Sequence, residues 1–312
     1  MFVPNLAAVP LHLLDLPWLQ KAHVQVAVLR LDLLDPELSG NKWFKLAHHF
    51  DAARELGARG FISLGGPHSN HLHALAAAAK RSGMGCVGLL RGRPQQTVTI
   101  EDLQRFGMEL HWLGYGGYRE RHRSDFFEAW RERYPGYYCV PEGGGGLAGA
   151  KGCVPLVAHV RSRLAGIGWD GYEGWWLAAG TGTTLAGLVI GEAQQASRTV
   201  HGALAGPPSH GVADVVSGLL QDAGAPNEGY RLVDASCGGF GRFDEPLARF
   251  MIETETLTGV PLEPVYTAKA LMALRSSIQE GSLAPGARLI FIHTGGLQGR
   301  RAAQAQLDAL MR

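Results

Sequence analysis

Short apolar runs alternate with helical patterns along this chain, and several of the runs end in glycine or a small hydroxyl residue. GFISLGG at 60–66, CVGLL at 86–90, ELHWL at 109–113 and YYCVPEGG at 137–144 are the first set. WWLAAGTG at 175–182, VHGALAG at 200–206, RLVDASC at 231–237 and RLIFIHTGG at 288–296 follow. The earlier segment HVQVAVLRLDLL at 23–34 reads as a strand or a pair of them. Such alternation predicts an α/β chain with mainly parallel sheets covered by helices. In open sheets of this kind ligands collect outside the carboxyl ends of strands, so the glycine endings are where a site is sought.

The 312 residues suffice for two domains or one large α/β unit. One boundary is expected near 40–45 and another in the stretch EGGGGLAGAKG at 142–152, which would enclose an inserted domain. The alternative is a single domain with a long glycine loop. Glycine supplies 43 residues, about 14%, roughly twice the usual share. It shows no three-residue period, which excludes a collagen-like chain.

Hydrophobic residues at 46% and charged residues at 18% argue against disorder. A net charge of +1 gives no electrostatic case for nucleic acid or an anionic membrane as partner. The basic segment RERHRSDFFEAWRER at 119–133 reads as a solvated amphipathic helix with Phe126, Phe127 and Trp130 inward. Cys86, Cys139, Cys153 and Cys237 are scattered, and they read as small core residues of a reducing compartment. The N-terminal stretch has no basic n-region, and Pro10, Asp15 and Pro17 break its apolar run. No signal peptide or membrane span is expected, and the cytoplasm is the expected location.

Three motifs carry chemistry. AAGTGTTLAG at 178–187 follows an apolar strand and opens an apolar helix. Gly180 and Gly182 can turn N–H groups toward an anion, and Thr181, Thr183 and Thr184 add hydroxyls at a helix N-terminus. No Gly-Lys-Ser/Thr follows, so this is not a Walker loop, and a plain structural turn is the competing reading. In GGPHSNHLHALAAAAK at 65–80, Ser69, Asn70 and His71 open an Ala-rich helix where a carboxylate could sit on free N–H groups. Ser69 or Asn70 as a simple helix cap explains the same residues. His68, His71 and His73 lack a carboxylate or cysteine at ligand spacing, so no metal is expected. Finally, only six lysines stand among 29 basic residues, and Lys42 lies in the turn Gly40-Asn41-Lys42-Trp43-Phe44-Lys45. A lysine beside aromatics is a candidate for amine chemistry that arginine cannot perform, although an ordinary exposed lysine fits too.

Taken together, GNKWFKL at 40–46, GGPHSNH at 65–71, GTGTTLAG at 180–187, EPVYTAKAL at 263–271 and HTGG at 293–296 resemble one enzyme group in order and spacing. That group is the 1-aminocyclopropane-1-carboxylate (ACC) deaminase / D-cysteine desulfhydrase family of pyridoxal-phosphate (PLP) enzymes. The resemblance implies the tryptophan synthase β-like fold (PLP fold type II), with two domains. The larger, PLP-binding one would comprise 1–42 and 153–312, and the smaller inserted one 43–152.

The resemblance also implies residue roles. Lys42 would hold PLP as a Schiff base, with Lys45 near the cofactor phosphate. Asn70 would hydrogen-bond the phenolic oxygen, while Ser69 and the following amides, including that of His71, hold the substrate carboxylate. Thr181, Gly182, Thr183 and Thr184 would bind phosphate. Tyr266 would line the substrate pocket, and Thr294 would face the pyridine nitrogen. A small amino acid is the implied substrate, and a homodimer the implied assembly.

PLP supplies the electron sink, and a lysine displaced from it becomes a free amine able to move the α-proton. A pyridine nitrogen facing a neutral threonine should stay largely unprotonated, which favours expulsion of a β-leaving group. Phe240 stands where the family carries another tyrosine, Thr267 where ACC deaminases carry an acid, and His73 where an arginine is usual. Phe240 and Thr267 weigh against ring opening of ACC, and His73 leaves the substrate open. The implied activity is therefore a lyase most like D-cysteine desulfhydrase, with ACC deaminase as the alternative. A PLP-holding protein without lyase activity and an unrelated sugar-phosphate-binding protein are the readings from other classes.

Overall fold

A computed structural model describes residues 4–38, 40–195 and 198–312. Residues 1–3 of the N-terminal stretch and Ser39 of the first expected domain lie outside the described residues.

Among the described residues, ten strands form two sheets. They are β1 (Leu11–Leu13), β2 (Gln25–Arg30), β3 (Gly60–Gly65), β4 (Gly85–Leu90) and β5 (Glu109–Trp112). Then come β6 (Tyr137–Cys139), β7 (Gly174–Ala179), β8 (Thr199–Leu204), β9 (Tyr230–Asp234) and β10 (Arg288–His293). The six-stranded sheet has the order β1-β2-β10-β7-β8-β9, and the four-stranded sheet the order β5-β4-β3-β6. Every pairing is parallel except β1 with β2. Each apolar run picked out in the sequence contains a strand. The short edge strand β1 was not anticipated, because three residues, two of them exposed, carry no periodicity.

Continuous apolar composition on β7 reflects burial on both faces, as expected for the interior of a parallel sheet. Trp175 joins the core formed with the helices around 146–163 and 183–193. Its neighbour Trp176 faces the opposite core, with helices around 245–258, 267–279 and 297–310. Both indole nitrogens are satisfied, Trp175 Nε1 by Glu192 Oε1 at 2.8 Å and Trp176 Nε1 by the Ala270 carbonyl at 2.8 Å.

Strand order runs outward from β7 in one direction through β8 and β9, and in the other through β10 and β2. The order in which strands are added along the sheet therefore reverses between β7 and β10. The loops leaving those two strands open a crevice, the usual ligand position in such sheets. Helices Asn41–Glu55 and Gly146–Cys153 pack on each other and cross the expected borders at 42/43 and 152/153 without interruption.

Two expectations are corrected here. Residues 119–133 form no single helix: a helix ends at Arg119, a 3-10 turn covers Glu120–His122, and a further helix spans Glu128–Arg133. Arg123 is extended and donates to both carboxylate oxygens of Asp125, closing a turn where a helical step would be needed. Phe126, Phe127 and Trp130 do pack inward, against Ile62, Leu64, Val87 and Leu89. Of the cysteines, Cys86 and Cys153 are core residues, but Cys237 is exposed, since it lies in the turn that leaves the sheet after β9. No helix among the described residues is long and apolar enough to cross a membrane.

Candidate active site

Three turns meet at the crevice. After β2 the chain passes Gly40 and enters helix Asn41–Glu55, whose second residue is Lys42. Gly40 has φ +77, and a Cβ there would lie 2.0 Å from the Thr294 carbonyl oxygen, so only glycine fits. The Asn41 N–H donates to that same carbonyl at 3.1 Å. The lysine turn is thereby fastened to the turn after β10, and half-buried Thr294 is fixed beside it.

The third turn follows β7. Gly182, at φ +74, precedes helix Thr183–Ala193 and leaves the first N–H groups of that helix open. Thr181 Oγ1 and Thr183 Oγ1 lie 3.0 Å apart. Lys45 Nζ donates to Thr181 Oγ1 at 3.1 Å, and Asn41 Nδ2 donates to Thr184 Oγ1 at 2.9 Å. Lys42 Nζ donates to Asn41 Oδ1 at 3.0 Å. A single amide thus links Lys42 to the loop read as an anion cradle.

Electrostatics explain what such a cradle needs. Lys45 is 2% exposed, and burial together with the nearby Lys42 ammonium holds its amine well below the usual lysine range. Burial lowers the Lys42 amine to about 8, partly opposed by Cys153 and Glu263. Neither lysine forms an ion pair among the described residues. Two desolvated amines, whose charge an anion would restore, stand beside hydroxyls and open helix N–H groups and make a strong anion site. The donor set fits a phosphate, and a neutral Lys42 amine is available at near-neutral pH to bond an aldehyde carbon. PLP carries both groups, so the residues present fit the cofactor that the resemblance implies.

The remaining lysines do not compete. Lys21, Lys80 and Lys151 are exposed. Lys269 is buried, but its Nζ donates to the carbonyls of Ser236 at 2.7 Å and Gly239 at 2.9 Å. That arrangement holds the turn carrying Phe240 against helix Thr267–Gln279.

On the four-stranded side, Ser69 caps helix Asn70–Arg81 by accepting from the Leu72 N–H at 3.1 Å. Capping and a carboxylate site are compatible readings, because the Asn70 and His71 amides stay free of intrahelical partners. The His71 side chain takes no part there. Ser63 Oγ donates to the Val140 carbonyl at 2.8 Å, so it accepts from His71 Nε2, also at 2.8 Å. Nδ1 is then a bare acceptor, buried without a partner, and burial with Lys45 and Lys42 keeps the ring neutral. Of His71, it is the backbone amide that is left free at the helix start.

Tyr266 lies over the turn after β7: a Cβ on Gly180 would meet its Cε1 at 3.1 Å. Burial, then the Glu263 carboxyl, push its phenol well up, so it stays protonated. The Phe240 ring stands edge-on to it, centroids 5.9 Å apart at 70°, and is 49% exposed at the open end of the crevice. Thr267 is fully buried, and its Oγ1 accepts from the Glu263 N–H at 2.8 Å.

Three contributors escaped the sequence reading. Asn41 was passed over beside its lysine, although an amide next to a buried amine is itself a signal. Glu263 accepts from the N–H groups of Val265, Tyr266 and Thr267 and so sets Tyr266 in place. Burial pushes its carboxyl up to about 7 against those three donors. The stretch read as a domain border also roofs the turn after β7, since a Cβ on Gly143 would sit 2.7 Å from Thr181 Cγ2.

The model of the family described as pyridoxal-phosphate dependent enzyme matches residues 5–295. A putative ACC deaminase of Pyrococcus abyssi is 28% identical over 285 residues, 88% of this chain and 86% of that protein. The mitochondrial bifunctional D-cysteine desulfhydrase/ACC deaminase of Arabidopsis thaliana is 27% identical over 322 residues, 97% of this chain and 79% of that one. The D-cysteine desulfhydrase of Yersinia enterocolitica is 27% identical, with 87% of this chain and 86% of that one covered. Among solved structures, an ACC deaminase homologue superposes with a TM-score of 0.84 at 26% identity, covering 97% of this chain and 93% of that chain.

Proposed function

Because this chain belongs to the family of pyridoxal-phosphate dependent enzymes, we propose that Lys42 carries its PLP and that the reaction is elimination from a small amino acid. The products would be a 2-oxo acid and ammonia, with a thiol or similar group leaving from Cβ, most like a D-cysteine desulfhydrase. The observation that carries this reading is the Lys42 amine, held near 8 by burial and tied through Asn41 to the loop at 181–184.

PLP, when bound, supplies an electron sink for a carbanion at Cα. The chain's own residues do the rest. Lys45 and Thr181, Gly182, Thr183 and Thr184 hold the phosphate. The Ser69 hydroxyl and the Asn70 and His71 amides hold the substrate carboxylate, and Asn70 donates to the phenolic oxygen. Lys42, once free, is the base at Cα. Thr294 offers the pyridine nitrogen a neutral partner.

Two observations favour a substrate with a leaving group over the ACC ring. Phe240 brings no hydroxyl to the crevice, and the Thr267 hydroxyl is committed to Glu263. General acid–base help is worth roughly 10²–10⁴-fold, and ring opening is the reaction that needs more of it. We also infer two domains divided near 42/43 and 152/153, a homodimeric assembly and a cytoplasmic location, the last on four free cysteines.

A panel of D- and L-cysteine, β-chloroalanine, serine and ACC, assayed for pyruvate or 2-oxobutyrate, tests the reading. Pyruvate from D-cysteine or β-chloro-D-alanine is expected. Turnover of ACC alone would overturn the preference, and no 2-oxo acid from any of them would overturn the reaction class.

A further inference from the structure

Asn70 meets the turn after β10 in a fitted seat. Gln298 Nε2, in the first turn of helix Leu297–Leu310, donates to Asn70 Oδ1 at 3.1 Å. The flanking glycines leave room for the amide. A Cβ on Gly296 would come 3.0 Å from Asn70 Nδ2, and one on Gly299 would come 2.9 Å from Asn70 Oδ1. Gly299 is helical and has no backbone need to be glycine, so the close approach is its reason. Gln298 Oε1 is buried with no partner among the described residues, a cost that a space-filling side chain would not incur.

A second link from the same helix holds the two sheets' helices together at this point. Arg301 donates to Asp102 Oδ2, which also lies 3.2 Å from His73 Nε2, one turn beyond Asn70. Helix Asn70–Arg81 is thus clasped at two places by the helix that starts after β10.

A carboxamide has one accepting and one donating end of nearly equal shape, so something must decide which end faces a ligand. We propose that Gln298 is a positioning residue that sets the orientation of the Asn70 amide, presenting Nδ2 as the donor toward the cofactor's phenolic oxygen. With Oδ1 occupied by the Gln298 donor, Nδ2 is the end left for the cofactor. A donor there favours the ionised phenolic oxygen; a carbonyl oxygen there would repel it and favour the protonated form. This inference rests on the placement of PLP on Lys42, and of Asn70 at its phenolic oxygen, proposed above.

Gln298→Glu is the discriminating variant, because it keeps the shape and replaces the donor with an acceptor. A carboxylate would draw in Asn70 Nδ2 and turn Oδ1 toward the cofactor. Visible absorption of the holoenzyme as a function of pH reads the ionisation of the phenolic oxygen directly. The expected result is a shift in Gln298→Glu toward the short-wavelength, protonated form at neutral pH. A rise in PLP dissociation constant of about ten- to a hundredfold is expected with it. Gln298→Met, which removes the donor without supplying an acceptor, should move the spectrum less in the same direction. If Gln298→Glu fails to fold by circular dichroism, Gln298→Met decides alone.

Wild-type spectra and affinity within twofold in the folded variants would overturn the proposal. Borohydride reduction of the wild type separates the two levels. A label on Lys42 with unshifted variants defeats the role of Gln298 alone, whereas a label on another lysine removes the site and this inference with it.

Discussion

Lys45 Nζ lies 3.1 Å from Thr181 Oγ1, joining two motifs 136 residues apart in the chain. A buried amine that meets a hydroxyl and no carboxylate among the described residues is poorly stabilised as a cation in the free protein, and well placed to become one beside an anion.

Replacement of that cation should therefore separate stability from binding. Lys45→Met keeps the bulk and removes the charge. PLP affinity should fall by about ten- to a hundredfold, the scale of a lost charged hydrogen bond. The melting temperature of the apoprotein should stay level or rise. Titration of apoprotein with PLP and a thermal scan check both, and unchanged affinity would move the phosphate elsewhere.

The turn at Gly182 offers a steric test. With φ at +74 and a Cβ position 2.7 Å from Val216 Cγ2, Gly182→Val strains the backbone and crowds the helix behind it. The strain is on the order of 1–3 kcal/mol, and it falls on the N–H groups facing the anion. PLP affinity should drop at least tenfold while circular dichroism shows the fold retained.

Acid should destabilise the fold through buried imidazoles. His49 and His71 are each 2% exposed; burial lowers the His49 ring to about 4 and the His71 ring well below the usual histidine range. Below about pH 6.5 the unfolded chain binds protons at these rings while the folded chain does not. Their contribution is complete above that pH and is lost as the pH falls toward 4, at about 1.4 kcal/mol per pH unit for each ring. Urea midpoints between pH 7.5 and 4.5 should fall accordingly, and a flat profile would contradict the neutral, buried state of both rings.

Phe240 and Tyr266 share one wall of the crevice and should divide the activities. Tyr266→Phe should slow elimination if its phenol handles a proton, by up to roughly 10²-fold. Phe240→Tyr should raise the weak ACC turnover, limited still by Thr267 and its bond to Glu263. Steady-state assays on β-chloro-D-alanine and ACC decide; efficient 2-oxobutyrate release from ACC by the unchanged protein would contradict the reading of both positions.

Much of this was legible in the residues, and the rest was hidden for physical reasons. Parallel strands were readable because sheets buried on both faces need continuous apolar runs, as GWWLAA on β7 illustrates. The glycine turn after β7 was readable because its glycine and hydroxyl residues are adjacent in the chain, and the phosphate role remains the proposal made above. Asn41, Glu263 and Gln298 were not, since each acts on a partner through geometry that local sequence does not encode. The 119–133 segment misled for the opposite reason: its apolar spacing was right, yet the Arg123–Asp125 contact broke the helix. At His71 the role carried over belongs to the amide at the helix start, while the ring, which local sequence does not place, pairs with Ser63.

The most direct test of the account is chemical. Borohydride reduction of the PLP-loaded protein fixes the cofactor to its lysine, and peptide mapping identifies that lysine. The account predicts the label on Lys42, in the peptide that also contains Asn41. A label on Lys45, Lys151 or Lys269 would contradict it.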